Sequence, residues 1–424
     1  MNNFTIMKCF NVSKNACLKN SRISSILRPL AFRYHCRLQV QCLHFSGCQT
    51  QSHMRGVCQR NQIVRFCSSQ QDKKLSAKRQ HLMYFIYLSF AMGGCLVVAI
   101  VLNQLDETKQ RFKGIERVKD ELQTGRPQMI RYKDTMLPIF VERILGDIED
   151  FETDENDIWV VSFPRSGTTL TQELVDLVQS EGDFVRVVTM TLEERFPYFE
   201  YMYPGIKSIK KMDSPRLIKS HLPFSLLPKS VREGKAKVIY VARNPKDTCV
   251  SYFHFVQLLK PTFRFNGNFN DFFSRFINNK VPYSPWWRHV KEFWDIRDSP
   301  NILFLKYEDI VEDLAGTVLT IAEFLGKDIH PMEVKTIAEH CSFDRMKYNK
   351  NLNYSWWKET GIADKEGQDF IRKGKVGDWR KMFDVNQNLQ IETMKYLKLN
   401  ECGLRFDEGI EEKLTAADTA DKIS

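Results

Sequence analysis

The chain has 424 residues, of which 43% are hydrophobic and 27% charged, so it can bury a large core and is not a disordered chain throughout. The formal net charge is +10, but residues 1–80 hold 14 of the 62 Lys and Arg residues and one of the 52 acidic residues, which leaves 48 basic and 51 acidic residues downstream. A main domain so close to neutral argues against sequence-independent binding to nucleic acid, and we expect no nucleic-acid partner.

The cysteines are distributed as unevenly as the charges. Eight of the 11 precede residue 96, and the other three, Cys249, Cys341 and Cys402, lie far apart in the chain. This spacing fits neither a disulfide framework nor a zinc ribbon. We expect a reduced main domain that holds no metal.

Residues 1–80 form a basic extension that is almost free of acidic residues. The extension lacks the early apolar segment of a secretory signal, and its composition is typical of a mitochondrial transit peptide. A disordered basic tail is the alternative. The His and Cys residues of this segment follow no standard ligand spacing.

A transmembrane helix is predicted over residues 81–103. Residues 82–102 are 21 positions without Asp, Glu, Lys or Arg, and a helix of that length crosses a hydrocarbon layer of about 30 Å. A buried core helix is the alternative, but the stretch is apolar on every face. The basic cluster before it predicts that the N-terminus stays on the more positive side. We expect a single-pass membrane protein, with a mitochondrial membrane favoured over the Golgi and an orientation towards the cytosol left open.

The rest of the chain divides into a charged helical linker (104–120), a main domain (121–408) and a charged tail (409–424). Short apolar runs alternate with amphipathic segments from about residue 121, which predicts an α/β fold with a central parallel sheet flanked by helices. The predicted strands are 157–163, 216–219, 237–242 and 301–305. Open parallel sheets bind ligands at the carboxyl ends of their strands, where this chain places polar residues.

The segment after the first of these strands is a candidate phosphate-binding loop. It reads Phe163-Pro164-Arg165-Ser166-Gly167-Thr168-Thr169-Leu170 and leads into an amphipathic helix. Such a turn presents backbone N–H groups at the positive end of a helix, and its hydroxyls and arginine add further donors. It lacks the second glycine and the lysine of a Walker A loop, which disfavours a nucleoside kinase. An ordinary capped turn is the alternative.

A second anion site is predicted after the third of these strands. Arg243 ends the strand, Asn244-Pro245 begins a helix, and Ser251 lies about two turns further along. Together Arg243 and Ser251 can grip a second phosphate. A surface ion pair between Arg243 and Asp247 is the alternative.

These segments resemble four ordered motifs of the cytosolic-type sulfotransferases. The loop at 163–169 is similar to their 5'-phosphosulfate loop, and 241–252 is similar to their 3'-phosphate motif. Further matches are Ile218-Lys219-Ser220-His221-Leu222-Pro223 and Arg372-Lys373-Gly374-Lys375-Val376-Gly377-Asp378-Trp379. The stretches 214–221 and 303–309 resemble the divergent, brain-enriched branch of that family. The resemblance does not extend to residues 1–115.

The resemblance implies a P-loop-like sulfotransferase fold and transfer of a sulfuryl group from 3'-phosphoadenosine 5'-phosphosulfate (PAPS) to a hydroxyl or amine of a small acceptor, without a metal. His221 is then the general base, and Lys219 and Arg165 stabilise the charge that develops in the transition state. The matched donor-binding positions are Arg165, Ser166, Gly167, Thr168 and Thr169 in the 5'-phosphosulfate loop, Arg243, Ser251, Arg372, Lys373 and Gly374 around the 3'-phosphate, and Tyr307, Phe343 and Leu170 at the adenosine.

Three departures from the family pattern matter. Arg165 stands where a lysine is usual and cannot act as a proton donor. Leu170 replaces an adenine-stacking tryptophan, a contact worth about 0.5–1.5 kcal/mol. The short dimer motif keeps its valine at 385 but lacks its threonine and glutamate, so the oligomeric state stays open. A catalytically weak or inactive PAPS-binding regulatory protein is therefore the alternative function.

Overall fold

The computed structural model describes residues 114–119, 128–201 and 205–409. Within those ranges, no helix has both the length and the apolar character needed to cross a membrane. The basic extension, the predicted transmembrane helix at 81–103 and all but the first residue of the tail at 409–424 lie outside the described residues.

A four-stranded parallel sheet forms the centre of the fold. Its strands are β4 (Ile158–Ser162), β5 (Leu217–Ser220), β6 (Lys237–Ala242) and β7 (Ile302–Lys306), in the order β5-β4-β6-β7. The register places Val161 beside Ser220 and Ser162 beside Val241. The predicted α/β fold with a central parallel sheet is confirmed, and each predicted strand agrees with the observed one to within one residue at either end.

The strands are buried on both faces because their apolar residues are continuous rather than alternating. Trp159, Val161 and Tyr240 point into one hydrophobic core, whereas Val160 and Ile239, their neighbours along the chain, point into the other. Each face of the sheet is covered by helices, which leaves the strand ends as the places where backbone and polar side chains meet solvent.

A smaller antiparallel sheet precedes the parallel one. It consists of β1 (Glu116–Val118), β2 (Met129–Tyr132) and β3 (Thr135–Pro138), in that order. The helical linker expected at 104–120 is therefore wrong for residues 116–118, where pairing with β2 outweighs the charge pattern. The backbone N–H of Met136 in β3 donates to the carbonyl oxygen of Ser284 (2.9 Å), which ties this sheet to a loop beside the strand ends.

Helices make up most of the remaining described chain. The α-helices are Leu145–Glu149, Thr168–Gln179, Phe184–Thr189, Leu192–Arg195, Gly205–Ile209, Lys229–Arg232, Pro245–Leu258, Lys260–Phe263, Phe269–Ile277, Trp286–Trp294, Tyr307–Glu312, Leu314–Leu325, Pro331–His340, Phe343–Tyr348, Trp356–Glu359 and Val385–Leu399. The 3-10 helices are Ile139–Ile144, Phe224–Leu226 and Asp378–Lys381.

Candidate functional site

The strand order creates a crevice at the carboxyl ends of β4 and β6. The chain passes from β4 to β5 on one side and then crosses back to β6 on the other, so the loops that follow β4 and β6 diverge from adjacent strands. Ligands of open parallel sheets bind at such a switch point. The loop 163–167 and Arg243 therefore flank the same crevice.

The loop after β4 has the form of an anion cradle. Gly167 adopts a φ of 102° immediately before the helix Thr168–Gln179, and Arg165 adopts a φ of 70°. The hydroxyl of Ser166 is buried and has no hydrogen-bond partner, whereas the hydroxyl of Thr168 lies 2.6 Å from that of Ser162. Thr169 and Leu170 begin the first turn and are half-buried. A buried hydroxyl without a partner, at a helix N-terminus, fits a bound anionic oxygen.

Gly167 is required by close packing as well as by its φ angle. A Cβ at this position would lie 2.5 Å from Cδ2 of Tyr307, which is closer than real Cβ contacts. Tyr307 therefore closes one side of the loop, and its ring also lies against the guanidinium of Arg243, 4.3 Å from the ring centroid.

Three guanidinium groups converge on this crevice. Arg165 donates from Nε to the Ser251 hydroxyl (3.2 Å) and from Nη2 to the Phe370 carbonyl oxygen (2.8 Å). Burial, and then the like charges of Arg243 and Arg372, lower the pKa of Arg165 to about 9, so the group is still charged at neutral pH. The electrostatic repulsion among these arginines would be relieved by an anion bound between them.

Arg243 has spare hydrogen-bonding capacity. Its Nη1 and Nη2 donate to the carbonyl oxygens of Arg165 and Lys375, both at 3.2 Å, but its buried Nε has no partner. The alternative of an ion pair between Arg243 and Asp247 does not describe the structure. The Asp247 carboxylate instead accepts hydrogen bonds from the backbone N–H groups of Gly377 (2.8 Å) and Trp379 (3.0 Å).

The segment 372–374 closes the crevice from the C-terminal side. Arg372 and Lys373 both pair with Asp378, at 2.8 and 2.7 Å. Gly374 has a φ of 64°, and a Cβ there would collide with the ring of Phe343. The charges of Arg372 and Lys373 are thus balanced in part by Asp378. The charges of Arg165 and Arg243 have no such carboxylate partner.

His221 lies one residue beyond β5 and is held with its ring facing the end of β4. Its Nδ1 is 2.8 Å from the carbonyl oxygen of Ser162, which accepts only from a protonated nitrogen, so Nδ1 carries the hydrogen and Nε2 keeps its lone pair. Burial, assisted by the charge of Lys219, holds the pKa of His221 well below its usual range. The imidazole is therefore a neutral base with a defined tautomer.

Lys219 lies two residues before His221, so both project from the same side of the chain at the end of β5. Its ammonium lies over the ring of Tyr198, 4.5 Å from the centroid. Burial lowers the pKa of Lys219 to about 8, while the carboxylates of Glu193 and Glu200 partly oppose the shift. The lysine is cationic at neutral pH.

The sequence motifs gave no indication of the residues that surround His221. The backbone N–H of His221 donates to Glu200 (2.6 Å), and its ring lies 5.3 Å from the ring of Tyr198 and 5.6 Å from that of Tyr283. These residues come from two loops that are 21 and 62 positions away in the chain, and no local spacing connects them with the histidine.

The domain that forms this crevice is similar to known proteins. The family model described as the sulfotransferase domain matches residues 155–403. Sulfotransferase 4A1 from mouse is 39% identical over 271 residues, which cover 64% of this chain and 90% of the relative, and sulfotransferase 1A1 from cattle is 37% identical over 287 residues, which cover 67% and 97%. A retinol dehydratase, crystallised with androsterone and the inactive cofactor PAP, is 30% identical, with a TM-score of 0.62 and coverage of 66% of this chain and 92% of that chain.

Replacing Gly167 with alanine should abolish anion binding at the loop, because the added methyl group meets Tyr307 and the left-handed φ is strained. Inorganic phosphate should stabilise the wild-type chain by about 2.7 kcal/mol at 100 times its dissociation constant. Thermal unfolding of the full chain with and without phosphate measures this, and Gly167→Ala should keep only the part of the response that comes from the Arg243 site.

The matched control for that experiment is Gly326→Ala. Gly326 also has a positive φ, 72°, but nothing lies within 4 Å of the place that a Cβ would occupy there. This variant should lose about 1 kcal/mol of stability and keep the full phosphate response. A phosphate response in Gly167→Ala as large as that of the wild type would contradict the assignment of the loop.

Proposed function

The chain belongs to the sulfotransferase family, and from that premise we propose how its residues carry out sulfuryl transfer from PAPS, with His221 as the general base. Members of this family are transferases that use PAPS as the sulfate donor. The observation that carries the proposal is the bond from His221 Nδ1 to the Ser162 carbonyl oxygen, because it leaves a neutral Nε2 lone pair beside the anion cradle.

The residues of the crevice fit such a donor. The unpaired Ser166 hydroxyl and the unpaired Arg243 Nε are both hydrogen-bond donors without a protein partner. We assign the 5'-phosphate to Ser166, Gly167, Thr168 and Thr169. We assign the 3'-phosphate to Arg243, Ser251, Arg372, Lys373 and Gly374. Tyr307 and Phe343, which pack against the two positive-φ glycines, are assigned to the adenosine, beside Leu170.

When bound, PAPS supplies the sulfuryl group and leaves as the 3',5'-bisphosphate. His221 Nε2 accepts the proton of the acceptor hydroxyl while the acceptor oxygen forms its bond to sulfur and the bond from sulfur to the bridging phosphate oxygen breaks. The acceptor leaves as a sulfate ester. The low pKa of His221 keeps it unprotonated and able to accept a proton throughout the neutral range.

Lys219 and Arg165 supply positive charge where negative charge accumulates. Both are cationic near neutral pH and both are removed from bulk water, which strengthens their interaction with an anion. Neither needs to move a proton for this role, so arginine at 165 can replace lysine for charge stabilisation.

We propose a small hydroxylated compound or amine as the acceptor. Androsterone and retinol are the compounds crystallised with the retinol dehydratase to which this chain is similar. Aromatic rings pack against His221 in this chain, those of Tyr198 and Tyr283. Such a setting suits an acceptor with an apolar body and one reactive polar group.

His221→Asn should lower kcat by about 100- to 10,000-fold, because asparagine cannot take the proton of the acceptor. The affinity for the bisphosphate product should not change, since His221 is not assigned to the phosphates. Transfer of labelled sulfate from PAPS to a panel of phenols, alcohols and amines, together with calorimetry of the bisphosphate, measures both. His330→Asn is the control, because His330 caps a surface helix and asparagine caps equally well. Unchanged turnover in His221→Asn would exclude it as the base.

The pH profile should identify Lys219. Its pKa is lowered to about 8, so its charge is present below that pH and is lost above it. We expect kcat/KM of the wild type to fall about tenfold per pH unit above pH ~8. Lys219→Arg should shift this alkaline fall in kcat/KM to higher pH by at least ~1 unit, because guanidinium keeps its proton. Lys229→Arg, on an exposed helix, should leave the alkaline fall in place. An alkaline fall that does not shift in Lys219→Arg would belong to another group.

The alternative of a weak PAPS-binding protein rests on the sequence at 165 and 170 and on two hydrogen bonds of Arg165. Arg165 is held by Ser251 and by the Phe370 carbonyl oxygen, and turning towards the sulfuryl group breaks these bonds. If the chain is a competent enzyme, the double variant Arg165→Lys with Leu170→Trp should gain less than about tenfold in kcat/KM, mainly by a stacking contact. A gain above about 100-fold, measured with the same acceptor panel, would favour the regulatory alternative.

We further propose that residues 82–102 anchor the catalytic domain to a membrane, for which a mitochondrial membrane is favoured. The proposal rests on the length of the uncharged run and the basic residues before it. The full chain should stay in the membrane pellet after alkaline carbonate extraction, and a chain lacking 81–103 should be released. Recovery of the full chain in the supernatant would contradict the anchor.

A further inference from the structure

Two buried side chains grip the backbone of His221 from opposite sides. Oε1 of Glu200 accepts the His221 backbone N–H at 2.6 Å, and Nε2 of His289 lies 2.9 Å from the His221 carbonyl oxygen. With the ring bonded to Ser162, the residue is fixed at three points. Neither Glu200 nor His289 belongs to a motif that the sequence singled out.

The tautomer of His289 follows from its partners. A carbonyl oxygen only accepts, so His289 must donate from Nε2, and its Nδ1 then accepts from the hydroxyl of Tyr240 in β6 at 2.9 Å. Burial lowers the pKa of His289 to about 4 and raises that of Tyr240 well above its usual value, so both groups keep these protons at neutral pH. The hydrogen bond from His289 to the His221 carbonyl oxygen is thus held in place by Tyr240, a residue of the central sheet.

Burial of the Glu200 carboxyl group lowers the stability of the fold, which argues for a role beyond structure. Its side chain is fully buried, and its second oxygen, Oε2, has no hydrogen bond of good geometry, with the Ser220 hydroxyl as its near neighbour. Burial raises the pKa of this carboxyl group to about 7. A buried carboxylate with an unsatisfied oxygen is destabilising, and such departures from good packing are found mainly at functional sites.

The ring of His221 is confined as tightly as its backbone. Tyr198 and Tyr283 both pack against it, and their hydroxyl oxygens are 2.5 Å apart. With the backbone held at its N–H and carbonyl groups and Nδ1 bonded to Ser162, the direction of Nε2 is fixed. A displacement of about 1 Å at a reacting group can cost 100-fold in rate.

We propose that Glu200 and His289 are positioning residues that hold the His221 backbone so that Nε2 faces the acceptor. This inference rests on the proposed role of His221 as the base. Neither residue is among those assigned to the donor, so both should act on the rate of transfer and leave donor binding alone.

Glu200→Ala removes the acceptor of the His221 N–H. It should lower kcat by about 10- to 100-fold, with the KM for PAPS and the bisphosphate affinity within about twofold of wild type. Glu200→Gln keeps a carbonyl oxygen at the same place and should restore kcat to within about threefold of wild type. Glu194→Ala is the matched control, since Glu194 is an exposed carboxylate on the preceding helix and should leave kcat unchanged.

The His289 pair tests the other side of the grip and serves if Glu200→Ala fails to fold. His289→Phe removes the donor in a ring of similar size and should lower kcat about 10-fold or more, whereas His289→Gln keeps an N–H near the Nε2 position and should retain most of the activity. Equal kcat in all four variants and the wild type, or losses in the Ala and Phe variants that Gln does not rescue, would overturn the proposal. So would a loss of kcat that is matched by an equal loss of bisphosphate affinity.

A readout independent of turnover separates this inference from the proposed function. ¹⁵N spectra of histidine-labelled protein report the tautomer of His221, which should be a single Nδ1–H form in the wild type and in Glu200→Gln, and a mixture in Glu200→Ala. A wild type that transfers no sulfate but shows this pattern would refute the enzymatic role and support the grip. Identical spectra in all three proteins would refute the grip whatever the activity.

Discussion

The hydrogen bond between His221 Nδ1 and the Ser162 carbonyl oxygen joins the carboxyl ends of two neighbouring strands, and the chemistry of the site depends on it. Ser162 is the last residue of β4, and the anion loop starts at the next residue, so the bond sets the distance between the anion cradle and the imidazole that we propose as the base. It also selects the tautomer. An imidazole with the hydrogen on Nε2 would present a donor to the acceptor hydroxyl, and no proton could be removed.

The positive charge of the crevice follows from the same architecture. Parallel strands direct Arg165 and Arg243 to one edge, where the fold keeps them apart from water and gives them carbonyl oxygens, a hydroxyl and aromatic rings as partners. These partners orient the guanidinium groups without neutralising them. An arrangement of this kind is expensive in the free protein and is suited to a doubly phosphorylated ligand, because the charge is already oriented when the ligand arrives.

The parts of the structure that the sequence predicted well are those encoded locally. The strand Lys237–Ala242 consists mainly of β-branched and aromatic residues, and its bounds agree with the prediction. The four motifs likewise lie at one edge of the sheet, as predicted. The small sheet was missed because Glu116–Val118 is short and charged, and only its partner β2 makes it a strand. The surroundings of His221 were missed for the same physical reason: Glu200 and His289 reach it only through the tertiary fold.

Arginine at position 165 is better understood from its packing than from its charge alone. Its guanidinium lies 5.0 Å from the ring centroid of Phe255 and 4.5 Å from that of Phe370, contacts that a planar delocalised cation makes well and a lysine ammonium makes less well. Phe370 also supplies the carbonyl oxygen that Nη2 binds, so the arginine ties the anion loop to the segment just before Arg372. A lysine lacks the planar fork that bonds the Ser251 hydroxyl and the Phe370 carbonyl oxygen together. Arginine at this position is therefore less free to move than a lysine would be. In return, it joins the two sides of the crevice before the donor binds.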